Sequence, residues 1–207
     1  MLKDMNLAQF NTEIAGIEPI PGGGSVAAYS GSMAASLVVM VAKLTHGKSG
    51  YEEVWDDMEE IRRQAEKLAG RLLELVDEDA AAYSGVIEAF RMPKEDEVDK
   101  VIRADAIQKA FRHAAEVPAA TMRAASEVLR LAAMVAHKGN RNTITDTGVA
   151  GLMARSAIMG ARFNVLVNLP SIKDEAFVAE MRDKVARICH EAEDIFNHIV
   201  VHIENSF

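Results

Sequence analysis

From Ser25 to Ala42 the chain carries no charged residue, and Ala, Ser, Gly, Val and Met dominate. An uncharged run of that length has to be taken out of water, either in a protein core or in a bilayer. Four serines, a tyrosine and a glycine lie within it, and its Leu, Val and Met residues gather at the C-terminal end. The pattern fits the central helix of a bundle, thin enough for neighbouring backbones to come very close, rather than a membrane span. Directly before it, Pro21-Gly22-Gly23-Gly24 strips the side chains from a whole turn of backbone and leaves room for another group. Ser25 stands where an N-cap residue belongs. The free N–H groups and positive dipole end of the helix then face an unobstructed loop. A ligand or a partner subunit is expected there, against Gly22, Gly23, Gly24 and Ser25.

The remaining segments arrange themselves around this helix. Residues 2 to about 15 form a short amphipathic helix, and Pro19 and Pro21 prevent it from continuing. The central helix extends to about Thr45 and stops at His46-Gly47-Lys48-Ser49-Gly50. From Glu52 to about Phe90, apolar residues recur at spacings of three and four, from Val54 through Ile61 and Leu68 to Val76. Met92-Pro93 ends that helix. The pattern resumes over 95 to 116, Pro118 is expected to kink or break it, and another helix covers 119 to 137. An alanine- and glycine-rich helix follows over 147 to 162. Residues 164 to 170 alternate in strand fashion but are too isolated to build a sheet, so an extended or irregular helix end is expected. A final amphipathic helix spans 175 to 203. With no repeat and no linker, residues 1–207 read as a single-domain, all-α multihelical bundle without significant β-sheet.

The net charge of −8 argues against nucleic-acid partners and anionic membranes. The single cysteine, Cys189, excludes an internal disulfide and fits a reducing compartment. Met1-Leu2-Lys3-Asp4 lacks the form of a signal peptide. A cytoplasmic location is expected.

Several motifs fall short of the chemistry they suggest. Gly22-x-Gly24-x-x-Ala27 has the glycine spacing of a dinucleotide fingerprint. No strand precedes it, and the next acid is Glu52. Gly47-Lys48-Ser49 resembles the end of a P-loop, but Ala42 occupies the required first glycine position. His190, Asp194, His198 and His202 recur every four residues, yet such a stripe rotates about 40° per step and cannot converge on one ion. No metal site is expected. Cys189 lacks the charged surroundings of a reactive thiolate, and the G-x-S-x-G elbow is absent around Ser25.

Four polar positions remain. Asp79 stands where a charged helix turns alanine-rich, in Asp77-Glu78-Asp79-Ala80-Ala81-Ala82, and either meets solvent or faces a cleft. Asp146 follows the Gly139-Asn140-Arg141-Asn142 loop at a helix start. There it either caps backbone N–H groups or moves protons at a pocket edge. Asn164 and Asn168, four apart, either bracket a planar polar ligand or satisfy irregular backbone.

Six segments in order resemble one family. They are Pro21-Gly22-Gly23-Gly24-Ser25-Val26-Ala27-Ala28; Leu44-Thr45-x-Gly47-Lys48-x-x-Tyr51; Asp79-Ala80-x-Ala82-Tyr83 with Met92-Pro93; Ala115-Glu116-Val117-Pro118; Gly139-Asn140-x-Asn142-x-x-x-Asp146-x-Gly148-Val149-Ala150; and Asn164-Val165-x-x-Asn168-Leu169. Their order and spacing resemble the formimidoyltetrahydrofolate cyclodeaminase / methenyltetrahydrofolate cyclohydrolase family. The resemblance implies an all-helical homodimer with a tetrahydrofolate derivative near helix ends and no cofactor beyond that substrate. It also implies metal-free acid/base catalysis with Asp146 and Asp79 as proton carriers. Asn164 and Asn168 would position the pterin or the tetrahedral centre. Gly22, Gly23, Gly24, Ser25, Asn140 and Asn142 would line the substrate site, with Lys48 and Arg141 attracting the glutamate tail. The absent transferase domain tilts the expectation towards cyclohydrolase. The rival reading is a non-catalytic helical dimer binding folate or another small anion.

Overall fold

The computed structural model describes residues 1–207. Six α-helices follow one another with short connections: α1 (Leu7–Ile14), α2 (Gly23–Thr45), α3 (Trp55–Arg91), α4 (Glu97–Lys138), α5 (Ile144–Asn168) and α6 (Glu175–Glu204). Short 3-10 turns lie at Leu2–Asp4, Glu52–Val54, Arg141–Thr143 and Leu169–Ser171. There is no strand. Asn6 and Gln9 form a capping box at α1, and Asp96 and Asp174 cap α4 and α6 through their side chains.

Helix α2, uncharged from Ser25 to Ala42, sits at the centre, packed on α3, α4 and α5. It is long and apolar enough to cross a membrane by composition, but one flank is buried in the bundle, with Ala28, Ala34, Ala35, Val38, Val41 and Ala42 fully inaccessible. Small residues set the packing distance: a Cβ on Gly160 of α5 would lie 3.2 Å from the Ala27 Cβ of α2. Around this thin axis the larger side chains Met58, Ile61, Leu72, Leu75, Met122, Leu129 and Ile158 fill one continuous core. Each is worth about 1.5–3 kcal/mol in removed apolar surface.

Two elements depart from expectation for one shared reason. Pro118 does not interrupt α4, which runs unbroken from Glu97 to Lys138. A proline there leaves the Ala114 carbonyl without its helical donor. Asn168 supplies the missing bond, its Nδ2 donating to Ala114 O at 3.0 Å and also to Asn164 O at 2.8 Å. Residues 164 to 168, expected to be irregular, are the last turn of α5, held there because Val165 and Leu169 are buried and Asn168 is bonded to α4.

Ser25 is not the N-cap of α2. The helix begins two residues earlier with Gly22 as cap, and the Ser25 hydroxyl donates across to α3 instead, to Val76 O at 2.9 Å. The histidines of α6 do not gather: no three metal-capable side chains cluster, and His202 packs at a tilt against His137 of α4 with centroids 4.2 Å apart.

Candidate functional site

Where α2 begins, the Pro19–Gly24 loop, α3, α4 and the last turn of α5 enclose a cavity of about 400 Å³. Its polar lining is Asp79 and Tyr83 from α3, Asn164 and Asn168 from α5, and the backbone of Gly22, Gly23 and Gly24. Ile20, Val86, Phe111 and Val167 provide most of its apolar wall. No lysine, arginine or histidine reaches it.

Asp79 is placed by the glycine run. A Cβ on Gly24 would lie 2.5 Å from the Asp79 Cγ and 2.7 Å from its Oδ2, so only glycine admits the carboxylate at this point. The Ser25 hydroxyl donates to Asp79 Oδ2 at 3.1 Å. Burial pushes the Asp79 carboxyl above its ordinary value, opposed by hydrogen bonds from the Ser25 side chain and backbone N–H. A carboxylate poised in this way takes and returns protons closer to neutral pH than a solvated one.

The two asparagines have spent three of their four amide N–H donors. Asn164 Nδ2 donates to Gly160 O at 2.9 Å, and Asn168 Nδ2 donates to Ala114 O and Asn164 O. Backbone carbonyls only accept, so these bonds fix the amide orientations. Each Oδ1 is left without a protein partner and is not a buried orphan, which leaves it open at the cavity wall.

The other expected residues gather elsewhere. Lys48 Nζ donates to Asn140 Oδ1 at 2.8 Å, and Asn140 N–H donates to Thr45 Oγ1 at 2.9 Å. Asn142 N–H donates to Asn140 Oδ1, Arg141 N–H donates to the Tyr51 hydroxyl, and Asp146 lies in the first turn of α5. This cluster lies at the C-terminal end of α2. With 23 residues in the helix, it is about 34 Å from the cavity along the axis. Asp146 and Asp79 therefore do not meet within one chain. Tyr83 and Phe111 were not foreseen as site residues. Tyr83 stands four after Asp79, hence on the same helix face, whereas nothing local marks Phe111.

A family model described as formiminotransferase-cyclodeaminase matches residues 6–187. The chain belongs to this family. A methenyltetrahydrofolate cyclohydrolase of Methylorubrum extorquens is 38% identical over 93% of this chain and 92% of its own. A formimidoyltransferase-cyclodeaminase of Gallus gallus is 33% identical over 90% of this chain but only 34% of its own, so the chain spans about a third of that relative. A crystal structure of formiminotetrahydrofolate cyclodeaminase from Thermotoga maritima superposes with a TM-score of 0.90 at 29% identity, covering 99% of this chain and 98% of that one.

Proposed function

We propose that the chain is a folate one-carbon enzyme acting on the N5–carbon–N10 bridge of tetrahydrofolate, as a methenyltetrahydrofolate cyclohydrolase or a formimidoyltetrahydrofolate cyclodeaminase. The observation that carries the chemistry is the half-buried Asp79 carboxylate, raised by burial and held by Ser25 inside a cavity lined by the glycine run. In the hydrolytic direction, water attacks the methenyl carbon and Asp79 accepts its proton. The tetrahedral centre then collapses with cleavage of the carbon–N5 bond: Asp79 returns a proton to N5, the hydroxyl proton passes to solvent as the C=O forms, and 10-formyltetrahydrofolate leaves. In cyclodeamination, N10 attacks the formimino carbon, Asp79 takes the N10 proton, and the nitrogen departs as ammonia once protonated. Both routes need one group that moves a proton within reach of the same carbon.

The second cluster finds its place in a homodimer. Val26, Ser30, Met33, Leu37, Met40 and Leu44 of α2 form one uncharged stripe, and Val149, Leu152, Ser156, Met159, Phe163 and Val167 of α5 form another. The α5 stripe is exposed along most of its length and the α2 stripe is half-buried to exposed, although the chain is strongly acidic. The face is about 30 Å by 20 Å, enough for roughly 1,200 Å² of total buried surface, within the range of specific dimers. A two-fold axis through its middle brings the Lys48 end of one copy to the Asp79 end of the other. That supplies the cation for the glutamate tail which the cavity itself lacks. Met33→Glu, near the axis, is expected to give monomers by sedimentation with unchanged helicity and an activity loss of at least tenfold. Dimers with full activity would refute this arrangement.

The function is tested by supplying the purified protein with 5,10-methenyl- and 5-formiminotetrahydrofolate side by side and following methenyl absorbance. Turnover of either above its spontaneous rate supports the enzyme reading. Saturable binding without turnover leaves the non-catalytic dimer.

A further inference from the structure

The cavity's charge is one-sided. Most of its side-chain donors are engaged: Ser25 Oγ–H with Val76 O and Asp79, and both N–H groups of Asn168 and one of Asn164 with backbone carbonyls. What remains open is Asn164 Oδ1, Asn168 Oδ1, the Asp79 carboxylate and the second N–H of Asn164, with the Tyr83 hydroxyl able to act either way. The positive end of α2, the one feature that would draw an anion, is already taken by Asp79 lying against Gly24. No cationic side chain lines the wall.

We propose that this cavity selects its ligand by charge, taking the cationic amidinium form of the one-carbon bridge and discriminating against neutral carbonyl isosteres. This rests on the folate reading and refines it. The methenyl bridge is a delocalised N–C–N cation, and a protonated formimino group is the same unit before ring closure. Asp79 and the two asparagine oxygens offer that unit negative charge and three accepting groups in a recessed site, where pairing counts for more than in bulk solvent. The formyl product is neutral, so hydrolysis removes the charge that held the ligand and favours release. Asn168 has a double part here: its donor repairs α4 at Pro118, and that bond turns its oxygen outward as an acceptor.

The test places a positive charge at Ala80, a half-buried residue of the cavity wall that makes none of the bonds above. Ala80→Met controls for size. Wild-type protein should show an affinity for 5-formyltetrahydrofolate, the neutral isostere, at least tenfold below that for 5-formiminotetrahydrofolate. Relative to Ala80→Met, Ala80→Lys should lose at least tenfold in kcat/KM for 5,10-methenyltetrahydrofolate, while inhibition by 5-formyltetrahydrofolate changes less than threefold. Equal affinity for the two isosteres, or equal losses on both ligands, overturns the charge selection while leaving the enzyme reading intact. If the wild type turns over neither substrate, the enzyme reading fails. Calorimetry on the same isosteres then still decides the preference.

Discussion

Asp79→Asn is expected to lower kcat by about 10²–10⁴-fold while leaving the protein at least as stable as wild type at pH 7. The amide has the shape of the carboxylate and keeps an oxygen to accept from the Ser25 hydroxyl, but it cannot take a proton. The stability half of the prediction follows from the sign of the pKa shift. Burial raises Asp79 in the folded protein, so the folded state holds this proton more tightly than the unfolded chain. Its favourable contribution is complete below the ordinary carboxylate value, about 3.9, and is lost as pH rises through the raised folded value. Where the carboxylate is ionised the wild type therefore bears a buried charge that the Ser25 hydrogen bonds offset only in part, and the amide relieves it. Calorimetric melting should place the variant at or above wild type at pH 7, with the difference vanishing as pH falls towards 4. The acid limb of the wild-type kcat/KM profile should follow the same group, activity declining as pH drops through a value above the usual carboxylate range. A variant that melts lower at pH 7 yet keeps its kcat would make Asp79 a structural residue.

Much of this site was visible in the residues alone, and what was hidden was hidden for physical reasons. The uncharged run after the glycines announced a central helix, because burial of that length has few other outcomes. Asp79 stood out because a lone carboxylate opens an alanine-rich surface. Asn164 and Asn168 stand out as a pair four apart, but in a segment that reads as irregular; that they share a helix face and how they are oriented depend on a proline in another helix. The same bond explains why α4 passes through Pro118 unbroken. Its donor is supplied 54 residues away from the carbonyl it satisfies, beyond any local rule for helix termination. Ser25 was read from its position after glycine, which suits an N-cap. The helix instead starts earlier: Gly23 and Gly24 form its first turn with Asp79 lying against Gly24, and Gly22 is the extended cap residue. The two motifs holding Lys48 and holding Asn140, Asn142 and Asp146 alternate along the chain with those of the cavity, with no sign that they lie at the opposite end of α2. Order along a chain of long antiparallel helices does not tell which end of the bundle a loop occupies.

Gly24→Ala should nearly reproduce the loss of Asp79 without touching it. Gly24 sits in the first turn of α2 with ordinary negative φ, so alanine is acceptable to the backbone and by helix propensity alone favours folding by about 1 kcal/mol. The obstacle is the carboxylate: the added methyl would lie 2.5 Å from Asp79 Cγ and 2.7 Å from Oδ2. Because a buried helix cannot retreat without breaking the α2–α3 core, the Asp79 side chain rotates away and gives up its bond from Ser25. The expected result is a kcat lowered at least 10²-fold, since displacement of a proton-transferring group by about an ångström is enough to disable it, with a melting temperature close to wild type. Gly23→Ala is the internal control. Its Cβ meets only Asn164 Nδ2, at 3.7 Å, an ordinary contact, and kcat should stay within about threefold. The decisive measurement is the double variant. If Gly24 acts only by making room for the carboxylate, Gly24→Ala added to Asp79→Ala costs no further activity, a complete failure of additivity. An additional tenfold loss in the double variant would mean that Gly24 meets the substrate directly, through backbone that a methyl group shields.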